Sequence, residues 1–334
     1  MNADAAMRLH FFQTSAIMKQ YLPLLLLLTG CSHQPQSTSV ENGVLEASSV
    51  FIRYYAQRKD DFAWENRSSI WRAYGPALQK AGEHAYGYDI WCKNTSALVC
   101  DKRFQMEFDA WPLRDSLMAI GKTAESDSLI HDVSFHVDHG EGMDCYAVGP
   151  TLGGGATALL DQGQLVFPWC YKSYEILCQD PDSAVFRLDY DTTFLASDTI
   201  IEHRIITVLG RTRFCRCQVV YEGHSRPRDV AVGIVFHGDP DSVRFDATRH
   251  LMVYSDPSDQ PDLTYPDGLV PYSRVQVGIL APQADRFVLD QGHLLAIAPY
   301  QPGDTLTYWF GSGWSQGDCP TLQTMINELK SITR

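Results

Sequence analysis

The densest group of side chains that could do chemistry lies within residues 136–146. This stretch holds two histidines, three carboxylates and a tyrosine, with Gly140 and Gly142 between them. Glycine interrupts helices and strands and lets a backbone approach a ligand closely, so the pattern predicts a functional loop. The polar side chains of this loop are His136, Asp138, His139, Glu141, Asp144 and Tyr146.

Acid–base chemistry is what these residue types favour. Imidazole titrates near neutral pH, so His139 is the candidate general base, and Tyr146 is the candidate acid. The spacing of His136 and His139 also occurs in metal sites, but a loop broken by glycine does not hold both rings on one face. We therefore prefer ordinary hydrogen-bonded histidines to a metal site, and we predict no cofactor.

Three further segments place cations or aromatic rings beside polar groups. Arg58 and Lys59 are candidate anion partners in an acidic chain, although a solvated turn with Trp64 in the core is an equal alternative. Tyr171 is a candidate platform for a sugar, because a ring face packs against pyranose C–H groups. Arg204 is either a catalytic anchor for a carboxylate or a member of a buried ion pair. The predicted substrate-binding residues are Arg58, Lys59, Trp64, Glu141, Asp144 and Tyr171.

Alternating apolar and polar residues dominate the elements that must position these groups. Stretches such as 199–209 and 213–221 have the two-residue period of half-buried strands and are separated by turn residues. Because almost no helical periodicity intervenes, we predict an all-β fold of large antiparallel sheets in one domain, 45–334. A terminal helix is predicted at 320–333, packed on a sheet edge, and a helical excursion at 109–124.

The N-terminus has the pattern of an export signal. Lys19 precedes the short apolar run 22–28, and Leu28-Thr29-Gly30-Cys31 closes it. Such a run is too short for a permanent membrane helix, so residues 1–30 are predicted to be a lipoprotein signal peptide, with Cys31 lipidated. Residues 31–44 are polar and predict a disordered tether. We expect an exported lipoprotein of the outer membrane that faces the periplasm; the alternatives are surface display or an ordinary signal peptide.

The charge balance and the cysteines restrict the partners and the redox state. A formal net charge of −13 repels nucleic acid, so no nucleic-acid partner is expected, and membrane contact is expected only through the Cys31 lipid. The other eight of the nine cysteines are irregularly spaced. Their spacing allows the disulfides Cys92–Cys100 and Cys170–Cys178, but we predict mostly buried, reduced thiols.

Five short motifs occur in a fixed order along the chain. They are Arg58-Lys59-Asp60-Asp61-Phe62-Ala63-Trp64-Glu65-Asn66, Tyr74-Gly75-Pro76, Asp138-His139-Gly140-Glu141-Gly142, Gly149-Pro150-Thr151-Leu152-Gly153 and Tyr174-Glu175-Ile176-Leu177. In combination they resemble an exported family of unknown function from bacterial polysaccharide-utilisation loci, over essentially residues 50–330. The resemblance implies a carbohydrate-active β-sandwich of the supersandwich, galactose-mutarotase-like type. It also implies lyase or dehydratase activity on uronic-acid oligosaccharides, as in ulvan degradation.

Such an elimination has clear chemical requirements. The C5 proton of a uronate becomes removable only when the adjacent carboxylate is neutralised, a base accepts the proton and an acid protonates the leaving oxygen. His139 would be the base, Tyr146 the acid, and Arg58, Lys59 or Arg204 the neutralising cation. The expected partner is an acidic oligosaccharide, and the expected assembly is a monomer or a small homo-oligomer.

Two other functions remain open at this point. One is a glycoside hydrolase, which would use two carboxylates on either side of the scissile bond. The other is a non-catalytic glycan-binding lipoprotein. The candidate hydrolase pairs are Asp138 with Asp144, and Asp60 with Glu65.

Overall fold

The computed structural model describes residues 48–195, 198–257 and 273–332. The predicted signal peptide, the lipidation site Cys31 and the tether lie outside the described residues. Within the described ranges the chain consists mainly of antiparallel strands in three sheets, together with four α-helices.

The first four strands form one antiparallel sheet, here called the small sheet, and they hydrogen-bond in chain order. Three of these strands are buried at every position, because one face contacts the main core and the other contacts a helix. The strands are β1 (Phe51–Tyr55), β2 (Asp61–Glu65), β3 (Ser69–Ala73) and β4 (Tyr88–Cys92).

Nine described strands form the large sheet. They are β7 (Tyr171–Gln179), β8 (Ser183–Tyr190), β9 (Thr193–Leu195), β10 (Asp198–Leu209), β11 (Phe214–Glu222), β13 (Val243–Asp246), β14 (Leu251–Asp256), β15 (Val275–Leu280) and β18 (Leu306–Trp314). Their order is β13-β14-β15-β18-β11-β10-β8-β7, and β9 pairs with β10. Buried residues alternate with partly exposed ones along β8 and β10, as the two-residue period predicts.

The third sheet has the order β16-β17-β12-β5-β6, and its paired strands are antiparallel. The first of its strands along the chain begins at Gly154, after the loop of residues 136–146, here called the glycine-rich loop. A bridge between Tyr88 and Gly153 places β4 beside the start of that strand. The strands are β5 (Gly154–Asp161), β6 (Gln164–Val166), β12 (Arg228–Val235), β16 (Arg286–Asp290) and β17 (His293–Tyr300).

All three sheets contribute to one hydrophobic core. Trp64 and Trp71 of the small sheet contact rings of the large sheet: the centroids are 5.2 Å apart for Trp64 and Phe186, and 4.9 Å for Trp71 and Phe310. Val232 of the third sheet belongs to the same core. The sheets therefore pack face to face around a shared interior, and the prediction of an all-β antiparallel sandwich is confirmed.

Helices appear in the two predicted regions, with differences in detail. The helices are α1 (Pro76–Lys80), α2 (Cys100–Ala119), α3 (Thr123–Val133) and α4 (Leu322–Ser331). The predicted helical segment at 109–124 is part of a longer pair of helices, α2 and α3. The chain turns between them at Gly121, whose φ of +77° ends the first helix. The terminal helix α4 packs on the face of β14 and β15 rather than on an edge, since Gly278 leaves room there for Met325 and Leu329.

Most of the described cysteines are buried, reduced thiols, as predicted. Seven thiols are reduced and buried, which rules out the bridges Cys92–Cys100 and Cys170–Cys178 in this structure. Among the described residues, no helix has the length and apolarity needed to cross a membrane.

Candidate functional site

A buried arginine joins the last three strands of the small sheet. Arg72 on β3 lies opposite Ala63 of β2 and opposite Asp89 of β4. Its Nε and Nη2 donate to Asp89 Oδ2 at 2.9 and 2.5 Å, and its Nη1 donates to Asp61 Oδ2 at 3.1 Å. Asp61 is two residues from Ala63 and therefore faces the same side. We call these residues, with Asp144, the Arg72 cluster.

Asp144 brings the glycine-rich loop into this cluster. Its Oδ2 lies 3.8 Å from Arg72 Nη2, and the carboxyl is almost completely buried. Burial raises the pKa of Asp144 to about 7, and the neighbouring Asp89 adds to this effect. Burial likewise raises the pKa of Asp61 to about 6, against the opposing charge of Arg72. The cluster thus holds carboxyl groups that exchange protons near neutral pH, as acid–base sites require.

His136 connects the buried Asp144 to solvent. Its Nδ1 lies 3.1 Å from the carbonyl oxygen of Asp144 and 3.7 Å from the carboxylate, while the side chain is 34% exposed. A carbonyl oxygen can only accept, so this contact assigns the proton to Nδ1 and leaves the Nε2 lone pair available. His136 therefore has the arrangement of a general base.

The other groups of the site surround the ring of Phe135. The guanidinium of Arg58 lies 5.6 Å from the Phe135 centroid, and the His136 ring lies 4.7 Å from it. Burial raises the pKa of Glu107, and the charges of Arg58 and Arg72 oppose that rise, so both guanidinium groups lie near the Glu107 carboxyl. Among the described residues no carboxylate lies within ion-pair distance of Arg58. Asp61 and Glu107 lie close enough for its charge to oppose the rise in their pKa values, but neither uses its guanidinium donors, which can therefore meet a ligand.

Tyr74 supplies a hydroxyl beside the same centre. Its ring centroid is 4.9 Å from the Arg72 guanidinium. Burial raises the pKa of Tyr74 well above its ordinary value, and Asp89 contributes to the rise. The phenol therefore stays protonated near neutral pH and could donate a proton.

The turn that carries Arg58 is held in an unusual backbone conformation. Lys59 and Asp60 have φ of 53° and 65°, in the left-handed region that disfavours side chains. Asp60 is fixed by Tyr54, whose hydroxyl donates at 2.5 Å, and by the amide of Ala77 at 3.0 Å. A Cβ on Gly75 would lie 1.9 Å from the Asp60 carbonyl oxygen. The motif Tyr74-Gly75-Pro76 thus lets the two segments pack together.

The glycine-rich loop is shaped by its own side chains. Asp138 Oδ1 accepts hydrogen bonds from the amides of Gly140 and Gly142 at 2.8 and 2.9 Å. Gly142 has φ of +102°, and a Cβ there would lie 2.2 Å from the carbonyl oxygen of Cys92. Cys92 and Met143 exchange two backbone hydrogen bonds, which fix the loop to β4. These contacts place Asp144 beside Arg72.

The three predicted catalytic residues do not form one group. His139 is exposed on the loop, and its Nε2 contacts the carbonyl oxygen of Ser134 at 3.0 Å. Tyr146 is buried in the core, with its ring edge-on to His237 at 5.9 Å. Arg204 is completely buried, and its Nε donates to Glu202 at 2.5 Å. The assignment of Arg204 as a substrate anchor is therefore wrong, because no part of it reaches solvent; the ion-pair alternative is correct.

The predicted binding residues also separate into two groups. Arg58 and Asp144 lie at the Arg72 cluster. Trp64 is completely buried and lies parallel to Trp71 at 6.4 Å, so its prediction as a binding residue is wrong and the core alternative is correct. The remaining three are occupied in other ways: Lys59 pairs with Glu83, Glu141 pairs with Lys102, and the buried Tyr171 hydroxyl donates to the Asp60 carbonyl.

Most residues of the polar centre were not predicted from the sequence. Arg72 and Asp89 interrupt strands that are otherwise almost wholly apolar, and this is the signal that could have revealed them. Glu107 lies on a helix that had no predicted role. Within the described parts of the chain, no group of three potential metal-ligand side chains occurs, and His136 and His139 contact different carbonyl groups.

A surface cavity of about 440 Å³ lies at the opposite end of β5. Its arginines are largely compensated: Arg228 pairs with Asp198 at 2.5 Å, and Arg286 pairs with Asp229 at 2.5 Å. The eight residues of β5 separate the two ends by roughly 25 Å. This cavity is therefore remote from the Arg72 cluster.

The fold and the cluster define a class: an antiparallel β-sandwich with a buried ionic centre where the small sheet meets a glycine-rich loop. A family model described as "Domain of unknown function (DUF4861)" matches residues 32–333, and the chain belongs to this family. A curated relative, "Uncharacterized protein P7" of Formosa agariphila, is 24% identical over 230 residues. The match covers 66% of this chain and 52% of the relative, so the chain spans about half the length of that relative.

Solved structures show only distant likeness. The periplasmic domain of Thermotoga maritima YidC has a TM-score of 0.38 and 9% identity, with coverage of 85% of this chain and 99% of that one. The GH36 α-galactosidase AgaB from Geobacillus stearothermophilus has a TM-score of 0.36 and 9% identity, with coverage of 80% and 41%. These values are too low to support a functional argument.

Proposed function

We propose that this protein is a carbon–oxygen lyase that acts by β-elimination on uronic-acid-containing oligosaccharides, as a dehydratase or a polysaccharide lyase. The observation that carries the proposal is that Arg58 and His136 lie against the same ring, Phe135. Arg58 forms no ion pair among the described residues, and the partly exposed His136 contacts Asp144 through its Nδ1. A uronate needs a cation at its carboxylate and a base at C5, and these two groups supply both functions around one ring.

The reaction can be written with the groups at the site. Arg58 binds the substrate carboxylate and disperses the charge that develops on it. The Nε2 of His136 takes the C5 proton, the electrons of that bond form the C4–C5 double bond, and the C4–O bond breaks. Tyr74, which stays protonated, gives its proton to the leaving oxygen. Proton exchange with solvent then resets both residues. His136 replaces His139 as the proposed base, because it is the histidine next to a buried carboxylate.

The hydrolase alternative has less support. It requires two carboxylates that both face the scissile bond. Asp138 is used in holding the loop, and Asp144 is buried. Glu65 is completely buried, accepts from the amides at the start of α2 and pairs with Lys93 at 2.7 Å, while Asp60 already accepts two hydrogen bonds. Neither predicted pair presents two available carboxylates.

The reaction class can be measured directly. The protein is incubated with uronate-containing oligosaccharides from several plant and algal polymers, and the products are followed by mass spectrometry and ultraviolet absorbance. Elimination of water lowers the mass by ~18 units and creates an absorbing conjugated double bond, whereas hydrolysis adds ~18 units across a cleaved linkage without such absorbance. Binding without any change in mass or absorbance would support the glycan-binding alternative and contradict the proposal.

The role of Arg58 has its own test. Arg58→Ala should raise KM for uronate substrates at least about tenfold, because the charge that meets the carboxylate is lost. The matched control is Arg53→Ala, since Arg53 is exposed and already paired with Asp101. Equal KM values for the two variants would remove Arg58 from the proposed site.

The N-terminal expectations form a second, separate proposal. We propose that Cys31 carries the lipid that anchors the exported protein to the outer membrane. Mass spectrometry of the N-terminal peptide from the membrane fraction should show a diacylglyceryl thioether on Cys31, and Cys31→Ala should release the protein into the soluble fraction. Unmodified Cys31 in a fully soluble protein would contradict this.

A further inference from the structure

Four aromatic rings lie together at the surface beside the small sheet, on two separate segments of the chain. We call them the aromatic platform: His84, Tyr86, Phe167 and Trp169. Tyr86 stacks on Phe167 with the centroids 5.3 Å apart and the planes at 25°. Trp169 meets His84 at 5.3 Å and stands edge-on to Tyr86 at 5.6 Å.

The platform is open to solvent. Trp169 is 43% exposed, His84 is exposed, and Tyr86 and Phe167 are partly exposed. A large ring left in water loses the free energy that burial would give, so a group of such rings usually marks a binding surface. The tyrosine hydroxyl and the imidazole, 3.1 Å apart, add hydrogen-bonding groups at the same place.

Buried contacts hold the two segments of the platform in position. Cys170, next to Trp169, donates a hydrogen bond from its thiol to the Ala85 carbonyl at 3.6 Å. Leu78 of α1 packs with both residues. The rings are therefore set on a fixed base, which reduces the entropy lost when a ligand is bound.

The platform is continuous with the proposed active site. Tyr74 packs against the same small cluster that supports the platform. Glu83, next to His84, forms an ion pair with Lys59, the neighbour of Arg58. These contacts connect the platform to Tyr74 and to the turn that carries Arg58.

We propose that the aromatic platform is a second sugar subsite, which stacks a pyranose ring of the same oligosaccharide next to the uronate. This inference rests on the proposed function for the identity of the oligosaccharide. A pyranose presents a face of C–H groups that packs on an aromatic ring, and its equatorial hydroxyls can reach the Tyr86 hydroxyl and the His84 imidazole. The subsite needs no charge on the sugar, so it selects for chain length rather than for acidity.

Binding and turnover of oligosaccharides of increasing length test this inference. Wild type, Trp169→Ala and the control Phe194→Ala are compared on an array of neutral and uronate-containing plant and algal oligosaccharides, with affinities from calorimetry. Phe194 is 77% exposed, so its loss controls for removal of a surface ring. Trp169→Ala should weaken binding of chains of two or more sugars at least about tenfold and leave monosaccharide binding and the pH profile of turnover unchanged. Phe194→Ala should bind all lengths like wild type.

The outcomes separate the two proposals. If Trp169→Ala binds every length as wild type does, or if wild type binds no glycan on the array, the platform inference is overturned. If wild type binds neutral and acidic chains through Trp169 but transforms none of them, the platform stands and the elimination fails. If uronates are transformed and Trp169→Ala changes neither affinity nor KM for longer chains, the elimination stands and the platform fails.

Discussion

Arg72 and Arg204 are two of the buried arginines in the described part of the chain, and each pairs with a carboxylate beside an aromatic ring. Arg72 pairs with Asp61 and Asp89, and its guanidinium lies 4.9 Å from the Tyr74 ring. Arg204 pairs with Glu202, and its guanidinium lies 4.2 Å from the Tyr190 ring. Both arginines are held on strands by a carboxylate and an aromatic ring.

The difference lies in what surrounds each pair. Arg204 is enclosed, and its remaining donors reach the Tyr88 hydroxyl and the Thr157 carbonyl in the core between sheets. Arg72 lies at the end of a chain of groups that reaches solvent, through Asp144 to a half-exposed His136. A buried ion pair that is fully enclosed, like that of Arg204, has a structural role. A buried ion pair that titratable groups connect to solvent, like that of Arg72, is a candidate for acid–base chemistry.

Replacing the enclosed arginine should give the largest effect on stability. Arg204→Met leaves Glu202 buried without its partner, so the free energy of unfolding should fall by about 3–5 kcal/mol. Urea denaturation measures this loss, and turnover per folded molecule should stay within a few-fold of wild type. A stable Arg204→Met protein with lost turnover would mean that Arg204, not Arg72, belongs to the active centre.

His136 should show the opposite pattern. His136→Ala should lower turnover at least about a hundredfold, because the proposed base is removed, while the half-exposed ring contributes little to stability. His139→Ala is the control on the same loop and should keep turnover within a few-fold of wild type. Equal losses in the two variants would point to loop damage rather than to a specific base.

The pH dependence of stability should report the buried carboxyl of Asp144. Its pKa is about 7 in the folded protein against an ordinary value of 3.8. Between about pH 4 and 7 the folded form therefore binds more protons than the unfolded form, and the free energy of unfolding falls as pH rises, by at most ~1.4 kcal/mol per unit for this group. Asp144→Asn should remove this group's slope over the whole range, so the curve becomes nearly flat between pH 6 and 7 and shallower below pH 6, where Asp61, with a pKa of about 6, still contributes.

Urea unfolding at closely spaced pH values is the corresponding measurement. An unchanged slope between pH 6 and 7 in Asp144→Asn would show that this carboxyl does not hold its proton in the folded protein.

The smallest expected effect concerns the turn that presents Arg58. Lys59→Gly should raise the free energy of unfolding by about 1 kcal/mol, because glycine adopts a φ of 53° without strain. The ion pair with Glu83 is exposed and contributes little. Thermal melts would show the gain. A loss of stability would mean that the contacts of the Lys59 side chain contribute more free energy than the strained backbone at this position costs.

The sequence predicted the fold better than the site. Strand periodicity is local, so alternation in segments such as 199–209 was enough to predict the antiparallel sandwich, and the stripe of apolar residues predicted α4. It could not show that Gly278 opens the face of β15 to that helix, because this depends on a distant contact.

The site depends on contacts that no single segment contains. Glycine and polar residues led to the prediction of a functional loop at 136–146, and charge led to the prediction of Arg58 as an anion partner. The choice between His136 and His139 as the proposed base needed the position of Asp144. Trp64 and Arg204 were misassigned because residue type alone does not separate a buried ring or ion pair from an exposed one. Register across three strands brought Arg72 to Asp61 and Asp89, which are far apart in sequence.

The central claim is that a uronate binds at the Arg72 cluster with His136 against its C5 position. NMR spectra of protein with ¹⁵N-labelled histidine imidazoles can test it, with the signal of His136 among the 11 histidines assigned from His136→Ala. The ligand is a uronate disaccharide that lacks a leaving group at C4. Addition of this ligand should shift the His136 Nε2 resonance in wild type, and in Arg58→Ala only at ligand concentrations at least about tenfold higher. A saturating ligand that leaves the His136 resonances unmoved would contradict it.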